Sequence, residues 1–298
     1  MVVFGYVRWL FVFALGVTSL QAGSENQLGN LGPSKGSDVV LQSSQNIVAS
    51  CNGWLDTSLC PLKQDLSRGL VLHYTFDNAD NLAQDSTENG YNGKVVGLVT
   101  HSSGVLGGAA YFVGTFSKIR QHHYIEIPNV INTRAYTVAM WINLKLPEGH
   151  NTLLMLHGAQ SSWPASNLFI FTSHGKLAVF QSQQDVRYDD FPLPLSNTYP
   201  NLVPRMSNAP SLTAYTWHHI AVTYSEGRLS AYVDGLLAYE FINVRPVPET
   251  PKSQSLYVGD CLCVHSSHPT SYEIEGSVDD LRVYNRALGP LEVKQLGS

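Results

Sequence analysis

The sequence predicts an all-β protein of the sandwich or jelly-roll type that closes with a short helix. About a dozen short segments alternate apolar and polar residues with a period of two, which is the spacing of a half-buried strand. Turn-forming Gly, Asn, Asp and Pro separate these segments at regular intervals, as in antiparallel sheets. The helical signal lies near the C-terminus, where Pro290 and Glu292 follow Gly289.

The first predicted strand is Leu70–Phe76, whose alternate residues share one apolar face. Asp77 ends this strand, and a cluster of turn residues occupies positions 85–93. A strand over Tyr136–Leu144 has the strongest pattern. Because both of its faces are apolar, we expect a central strand buried on two sides. Between them, shorter strands are predicted at Lys94–Val99, Ala109–Val113 and Tyr124–Ile127.

Residues 185–214 interrupt the second half of the chain, because they contain five prolines and little alternation. The loop is longer than a simple connection between strands needs, so we expect it to be functional. At the end of the chain, Gly289 as N-cap, Pro290 at the first helical position and Glu292 at the third predict a helix over Leu288–Leu296. On either side of residues 185–214, strands are predicted at Thr152–His157, Leu168–Thr172, Leu177–Gln181, Trp217–Tyr224, Leu229–Val233, Leu236–Phe241, Leu256–Gly259 and Glu273–Tyr284.

The N-terminal segment has the pattern of a secretory signal. Arg8 precedes an apolar run over residues 9–17 that is too short to span a bilayer. We therefore predict a signal peptide over 1–22, a polar linker or loosely ordered arm over 23–66 and one folded domain over 67–298. The mature chain is expected to be secreted, extracellular or periplasmic, without stable membrane insertion; an uncleaved anchor is the alternative.

Four cysteines fit an exported chain, since disulfides form in oxidising compartments. Cys51, Cys60, Cys261 and Cys263 allow three pairings, and the sequence leaves these open. A metal site that combines the Cys-x-Cys pair with nearby histidines is the competing interpretation, although the spacing matches no zinc finger.

The charge pattern argues against a nucleic-acid partner. The formal net charge is −5, and no run of basic residues offers a surface for phosphates.

Nine motifs follow one another along the chain in a specific order and spacing. They are Gly69–Asp77, Asp85-Ser86, Asn89–Gly93, Tyr111-Phe112, Tyr124–Pro128, Tyr136–Ile142, Trp217–Tyr224, Leu229–Gly235 and Gly276–Leu288. Together they resemble the laminin-G-like, concanavalin A-like lectin/glucanase jelly-roll family. The resemblance covers roughly residues 67–296 and implies two antiparallel sheets packed face to face, with a sugar-binding or adhesion role in most members.

The resemblance also implies a structural cation where the first and last strands meet. By motif, Asp77 and Asp279 would be its ligands, with Asp85 and Asn89 as additional oxygen donors. Calcium is the expected ion, because hard cations take six to eight oxygen ligands. The alternative is that these residues cap turns and accept backbone hydrogen bonds.

Candidate sugar contacts lie in two loops. Saccharides are held by aromatic faces and planar polar side chains. Trp163 lies in a polar loop beside a proline, and Arg187 and Tyr188 lead into the 185–214 loop.

A catalytic alternative uses Glu273 and Glu275, which fall on one strand face and provide the paired carboxylates of a glycosidase. The segment departs from the Glu-x-Asp-x-x-Glu strand of concanavalin-like glycosidases in order and spacing. The adjacent histidines at 122–123 and 218–219 cannot jointly chelate a metal, because neighbours on a strand point to opposite faces.

The sequence therefore predicts a non-catalytic module that binds carbohydrate or glycosylated surfaces; a polysaccharide hydrolase and a protein-binding adhesion module are the alternatives.

Overall fold

Two antiparallel sheets form the domain. The computed structural model describes residues 63–114, 122–157, 166–181, 209–247, 249, 254–260 and 273–298. Its strands are β1 (Leu70–Tyr74), β2 (Lys94–Val96), β3 (Val99–Ser103), β4 (Gly108–Phe112), β5 (Tyr124–Pro128), β6 (Ala135–Leu144), β7 (Asn151–His157), β8 (Ser166–Ser173), β9 (Lys176–Gln181), β10 (Trp217–Ser225), β11 (Arg228–Val233), β12 (Leu236–Phe241), β13 (Ser255–Val258) and β14 (Gly276–Tyr284), followed by helix α1 (Pro290–Leu296).

The larger sheet has the order β12-β11-β10-β6-β14-β4-β3, and β1 also pairs with β14. Along one edge of β14, Val278 lies opposite Ala110 of β4, whereas Leu281 lies opposite Tyr74 of β1. The end of β1 and the start of β4 therefore meet beside the middle of β14.

The smaller sheet has the order β2-β5-β13-β7-β8-β9. Its alternate residues point into a core shared with the larger sheet, as the period-two pattern predicts. Core residues from the smaller sheet include Ile125, Leu154 and Leu256, and those from the larger sheet include Met140, Ile142, Ile220 and Val278.

Strand β6 is central and buried on both faces, which confirms the prediction for Tyr136–Leu144. On the side away from the core, Ala139 and Ala221 leave room for α1, whose Val293 and Leu296 pack against them. The backbone N–H of Gly289 donates to Glu292 Oε2 at 2.8 Å, so the predicted helix start is also confirmed.

Two strand predictions need correction. Lys94–Val99 is not one strand: β2 belongs to the smaller sheet and β3 to the larger one. Gly97 between them has a φ of 76°, and a side chain there would overlap the ring of His123, so the chain turns at this glycine and crosses between the sheets. The last strand begins at Gly276 and not at Glu273.

Several predictions fall on residues outside the described ranges. They concern the signal peptide, the linker up to residue 62, and Cys51, Cys60, Cys261, Cys263, Trp163, Arg187 and Tyr188. At the end of the predicted linker, Gln64 exchanges two hydrogen bonds with Gln295 of α1. In the described part of the chain, no helix has both the length and the apolar character that a membrane crossing needs.

Candidate functional site

One corner of the larger sheet brings together two of the predicted cation ligands. We call it the carboxylate corner: Asp77 after β1, Asp279 in β14, and the loop over residues 104–108 between β3 and β4. The pairing of β14 with β6 shifts register between Asp279 and Arg282. Phe76 and Asp280 have φ values of 56° and 48°, which are uncommon for residues other than glycine. Such backbone outliers concentrate at functional sites.

Both carboxylates bind the same loop. Asp77 Oδ1 accepts a hydrogen bond from the N–H of Gly108 at 2.7 Å. Asp279 Oδ2 accepts two, from the N–H groups of Val105 at 2.8 Å and Leu106 at 3.0 Å. The corner therefore ties the first, the last and an early strand of the sheet to one turn.

The second oxygen of the Asp279 carboxylate has no partner. Asp279 is fully buried, and its Oδ1 makes no hydrogen bond to any described residue. Burial raises the pKa of this carboxyl, although the hydrogen bonds from Leu106 and Val105 oppose the shift. A buried acceptor without a partner costs about 1–3 kcal/mol, so this atom calls for a ligand such as a cation or a water.

The other two predicted cation ligands, Asp85 and Asn89, form hydrogen bonds around the turn at residues 85–93. Asp85 Oδ1 accepts from the N–H groups of His73 and Thr87, and its Oδ2 accepts from the Thr87 hydroxyl and the Tyr91 N–H, at 2.8–3.0 Å. Asn89 donates its amide to the carbonyl of Val71 at 2.8 Å. A carboxylate has about four acceptor positions, and all four of those on Asp85 are used by the turn and by His73 of β1.

A partly exposed aromatic pair lies on the smaller sheet, on the face away from the core. We call this surface the tyrosine patch: Tyr124 and Glu126 of β5 with Ser255 and Tyr257 of β13. The two tyrosine rings meet edge to face, with centroids 5.5 Å apart. The Ser255 hydroxyl donates to Glu126 Oε1 at 2.7 Å, which fixes the carboxylate beside the rings. Burial and then the nearby Glu126 carboxylate raise the pKa of both tyrosines, so both stay neutral at neutral pH.

Three further polar side chains meet near the start of β5. His122 Nδ1 lies 2.6 Å from Asp260 Oδ2 and 3.8 Å from Glu273 Oε1. The neighbouring His123 is turned the other way and accepts from the N–H of Leu98 at 2.9 Å. The two adjacent histidines therefore have different partners.

Glu273 and Glu275 have separate partners. Glu275 Oε1 accepts from Lys145 Nζ at 2.6 Å, and this hydrogen bond raises the pKa of the lysine. Glu273 instead lies against His122.

The tyrosine patch was not predicted as a site, although both of its strands were. Tyr124 and Tyr257 each occupy an outward position of an alternating strand, but they are far apart in the chain. The pairing of β5 with β13, with Glu126 opposite Tyr257, brings them together. That pairing is a tertiary property that alternation alone does not encode.

Comparison with known proteins identifies the fold independently. A family model described as the concanavalin A-like lectin/glucanases superfamily matches residues 120–294, more than half of the chain. No curated protein matches the sequence.

Three solved structures have a similar fold. Domain 4 of AbnA, a GH43 extracellular arabinanase from Geobacillus stearothermophilus in complex with arabinotriose, has a TM-score of 0.53 and 22% identity, and the match covers 77% of this chain and 98% of that domain. A Trypanosoma rangeli sialidase in complex with 2,3-difluorosialic acid has a TM-score of 0.52 and 16% identity over 85% of this chain and 36% of the sialidase. The receptor binding domain of botulinum neurotoxin D has a TM-score of 0.50 and 14% identity over 77% of this chain and 50% of that domain. The chain thus spans nearly all of the first structure and half or less of the other two.

Proposed function

Because the chain belongs to the concanavalin A-like lectin/glucanase superfamily, we propose that it is a non-catalytic module that binds carbohydrate or glycosylated surfaces. The observation that carries the proposal is the tyrosine patch. Its two partly exposed rings stand beside a hydrogen-bonded carboxylate on a sheet surface. A sugar ring has apolar C–H faces and a rim of hydroxyls, so it is complementary to aromatic rings next to planar polar groups.

The comparison with the arabinanase supports this proposal. The solved structure of that domain is in complex with arabinotriose, and the match covers 98% of it. A domain of this architecture can therefore hold an oligosaccharide without the rest of the enzyme.

A glycan array with the full chain tests the proposal. We expect binding to at least one glycan class, and we expect Tyr257→Ala to weaken it by about tenfold or more, which corresponds to about 1.4 kcal/mol of contact energy. Tyr91→Ala is the matched control, because Tyr91 is exposed and its described hydrogen bonds use backbone atoms.

A second variant tests the site predicted from sequence. If Trp163→Ala abolishes binding and Tyr257→Ala does not, the ligand sits at the loop around residues 160–164 and the patch is not the site. If the full chain binds no glycan on the array, the proposed function is wrong.

We propose calcium as a structural ion at the carboxylate corner, held by Asp77 and Asp279. The donor set supports this choice, because it consists of oxygens and includes a buried carboxylate atom without a partner. The backbone carbonyl of Phe76 also borders the loop, since a Cβ on Gly108 would lie 2.6 Å from it. Calcium bound here would neutralise a carboxylate whose pKa is raised by burial.

Thermal unfolding tests the calcium proposal. After chelator treatment, calcium at about 100 times its dissociation constant should raise the melting temperature of the full chain by roughly 5–10 °C. Asp279→Asn should abolish this rise, whereas Asp80→Asn, a change at an exposed carboxylate, should not. An equal melting temperature with and without calcium would show that the ion is not structural.

The proposal includes export of the chain, supported by the signal-like segment over residues 1–22 and by the similarity to an extracellular enzyme. N-terminal sequencing of the mature protein should then begin near Gly23.

The hydrolase alternative is tested by reducing-sugar release from a polysaccharide panel. Glu275 is ion-paired with Lys145, and Glu273 lies against His122, so the two carboxylates have different surroundings. Hydrolysis that disappears in Glu275→Gln would replace the non-catalytic proposal with that of an enzyme.

A further inference from the structure

A compact set of metal-ligand side chains lies beside the tyrosine patch. His122 precedes β5, Asp260 follows β13 and Glu273 precedes β14, so three separate segments converge there. One ligand atom from each residue can be chosen such that all three atoms lie within 4.8 Å of one another. The carboxylate side chains are only 3% and 6% exposed, while the imidazole is 33% exposed.

The backbone holds this arrangement in place. Gly259 has a φ of 94° and packs under the ring of Phe112, which turns the chain at Asp260. The Ile274 N–H donates to the carbonyl of Gly259 at 2.9 Å, so Glu273 is fixed beside Asp260. Two carboxylates that are nearly buried next to each other repel, and a divalent cation is one way to stabilise them.

We propose that His122, Asp260 and Glu273 bind a zinc ion. One imidazole nitrogen with two carboxylates is a donor set for zinc, whereas calcium and magnesium prefer oxygens alone. Three protein ligands leave one position of a tetrahedral ion open to water or another ligand. This site is separate from the carboxylate corner, and the inference does not depend on glycan recognition.

The distances fit this ion after a small adjustment. Zinc–nitrogen and zinc–oxygen bonds of about 2.0–2.2 Å place tetrahedral ligand atoms roughly 3.4 Å apart. His122 Nδ1 lies 3.8 Å from Glu273 Oε1 and 2.6 Å from Asp260 Oδ2, where a proton now joins the two atoms. Zinc would replace that proton, and the histidine and aspartate would separate by less than about 1 Å.

Isothermal titration of zinc chloride into the chelator-treated full chain tests the proposal, with calcium in excess to occupy hard-cation sites. We expect one zinc per chain. Glu273→Gln and His122→Asn should each weaken binding by at least about 10- to 100-fold, the loss that even the outer partners of a metal ligand cause. Glu226→Gln, at an exposed turn between β10 and β11, is the matched control and should bind like the unaltered chain.

Cobalt substitution distinguishes this site from a metal site formed by Cys261 and Cys263, which lie shortly before His265 and His268 in the sequence. Cobalt at the proposed site should give visible ligand-field bands without the near-ultraviolet charge-transfer band of a thiolate, and the bands should persist when Cys261→Ser and Cys263→Ser are combined. Circular dichroism of each metal-free variant checks that it is folded; His122→Asn changes a partly exposed ring, so it is the variant to use if Glu273→Gln unfolds. The proposal would be overturned by absence of zinc binding, by both ligand variants binding zinc as tightly as the unaltered chain, or by loss of binding only when the cysteines are replaced.

Discussion

His219 is a residue whose charge the fold suppresses. It is 1% exposed, its Nδ1 has no hydrogen-bond partner among the described residues, and its ring packs edge-on against Trp141 at 5.3 Å. Burial lowers its pKa from 6.5 to about 4, and Arg282 adds to this, although Asp280 and Asp234 oppose it. The folded state therefore takes up a proton on His219 less readily than the unfolded chain does.

This residue should make the fold sensitive to acid. Between pH 6.5 and 4 the unfolded chain binds a proton at His219 and the folded chain does not. The contribution of His219 to the free energy of unfolding is therefore complete above pH 6.5 and is lost as the pH falls towards 4. The shift corresponds to about 3 kcal/mol. We predict that His219→Leu removes this part of the pH dependence, and urea unfolding at pH 7, 6, 5 and 4 measures it.

Carboxylates such as Asp279 titrate in both proteins and form the common background. The difference between the two pH profiles therefore isolates His219. Parallel profiles would show that the histidine does not control acid stability.

At the scale of elements, the turn after β13 depends on a glycine. A Cβ on Gly259 would overlap the Phe112 ring, and the residue has a φ of 94°. We predict that Gly259→Ala lowers the free energy of unfolding by about 2–5 kcal/mol, the sum of a left-handed backbone and an overpacked core.

Gly90→Ala separates these two causes. Gly90 has a φ of 65°, but no atom lies within 4 Å of a Cβ built there. Gly90→Ala should therefore lower the free energy of unfolding only by the cost of the left-handed backbone, about 1–2 kcal/mol. Equal losses in the two variants by urea unfolding would mean that contact with Phe112 does not matter.

Helix α1 is held by its packed face. Leu296 is 5% exposed and Leu291 is 70% exposed on the same helix. We predict that Leu296→Ala lowers the free energy of unfolding by about 2–5 kcal/mol, because it leaves a cavity against the sheet. Leu291→Ala should change it by no more than about 0.5 kcal/mol. Thermal unfolding compares the two, and similar losses would contradict the packing described here.

At the scale of the whole molecule, the fold class was predictable because alternation survives in most strands. Tyr136–Leu144 shows why: its pattern encoded both its strand structure and its central position. The error at Lys94–Val99 has an equally physical origin. The apolar run is continuous through Gly97-Leu98, and only the clash of a side chain with His123 shows that the chain must leave one sheet for the other there.

The sites were less predictable than the fold. Asp77 and Asp279 were paired through a family resemblance, and the unpartnered oxygen of Asp279 became visible only with the backbone in place. Tyr124 and Tyr257, like His122 and Asp260, meet through strand pairing across more than a hundred residues of chain. No local pattern marks such pairs.

The position of β14 predicts which backbone amides of the larger sheet are protected against hydrogen exchange. It pairs with β6 on one edge and with β4 and β1 on the other, whereas β12 is an edge strand with Leu236 and Leu237 exposed. We predict that amides of β14 exchange hydrogen only through global unfolding, while those of β12 exchange faster through local opening. Hydrogen-exchange mass spectrometry measures both, and equal protection would contradict this.

The same strand is also the last of the described strands to be synthesised. When a ribosome has delivered the chain as far as β13, every strand of the smaller sheet exists, but the larger one is in pieces: β12-β11-β10-β6 on one side, β3 and β4 on the other, and β1 without a neighbour. Contacts that join such distant segments form slowly and only after both have emerged. This strand order therefore delays closure of the larger sheet until translation has passed residue 284.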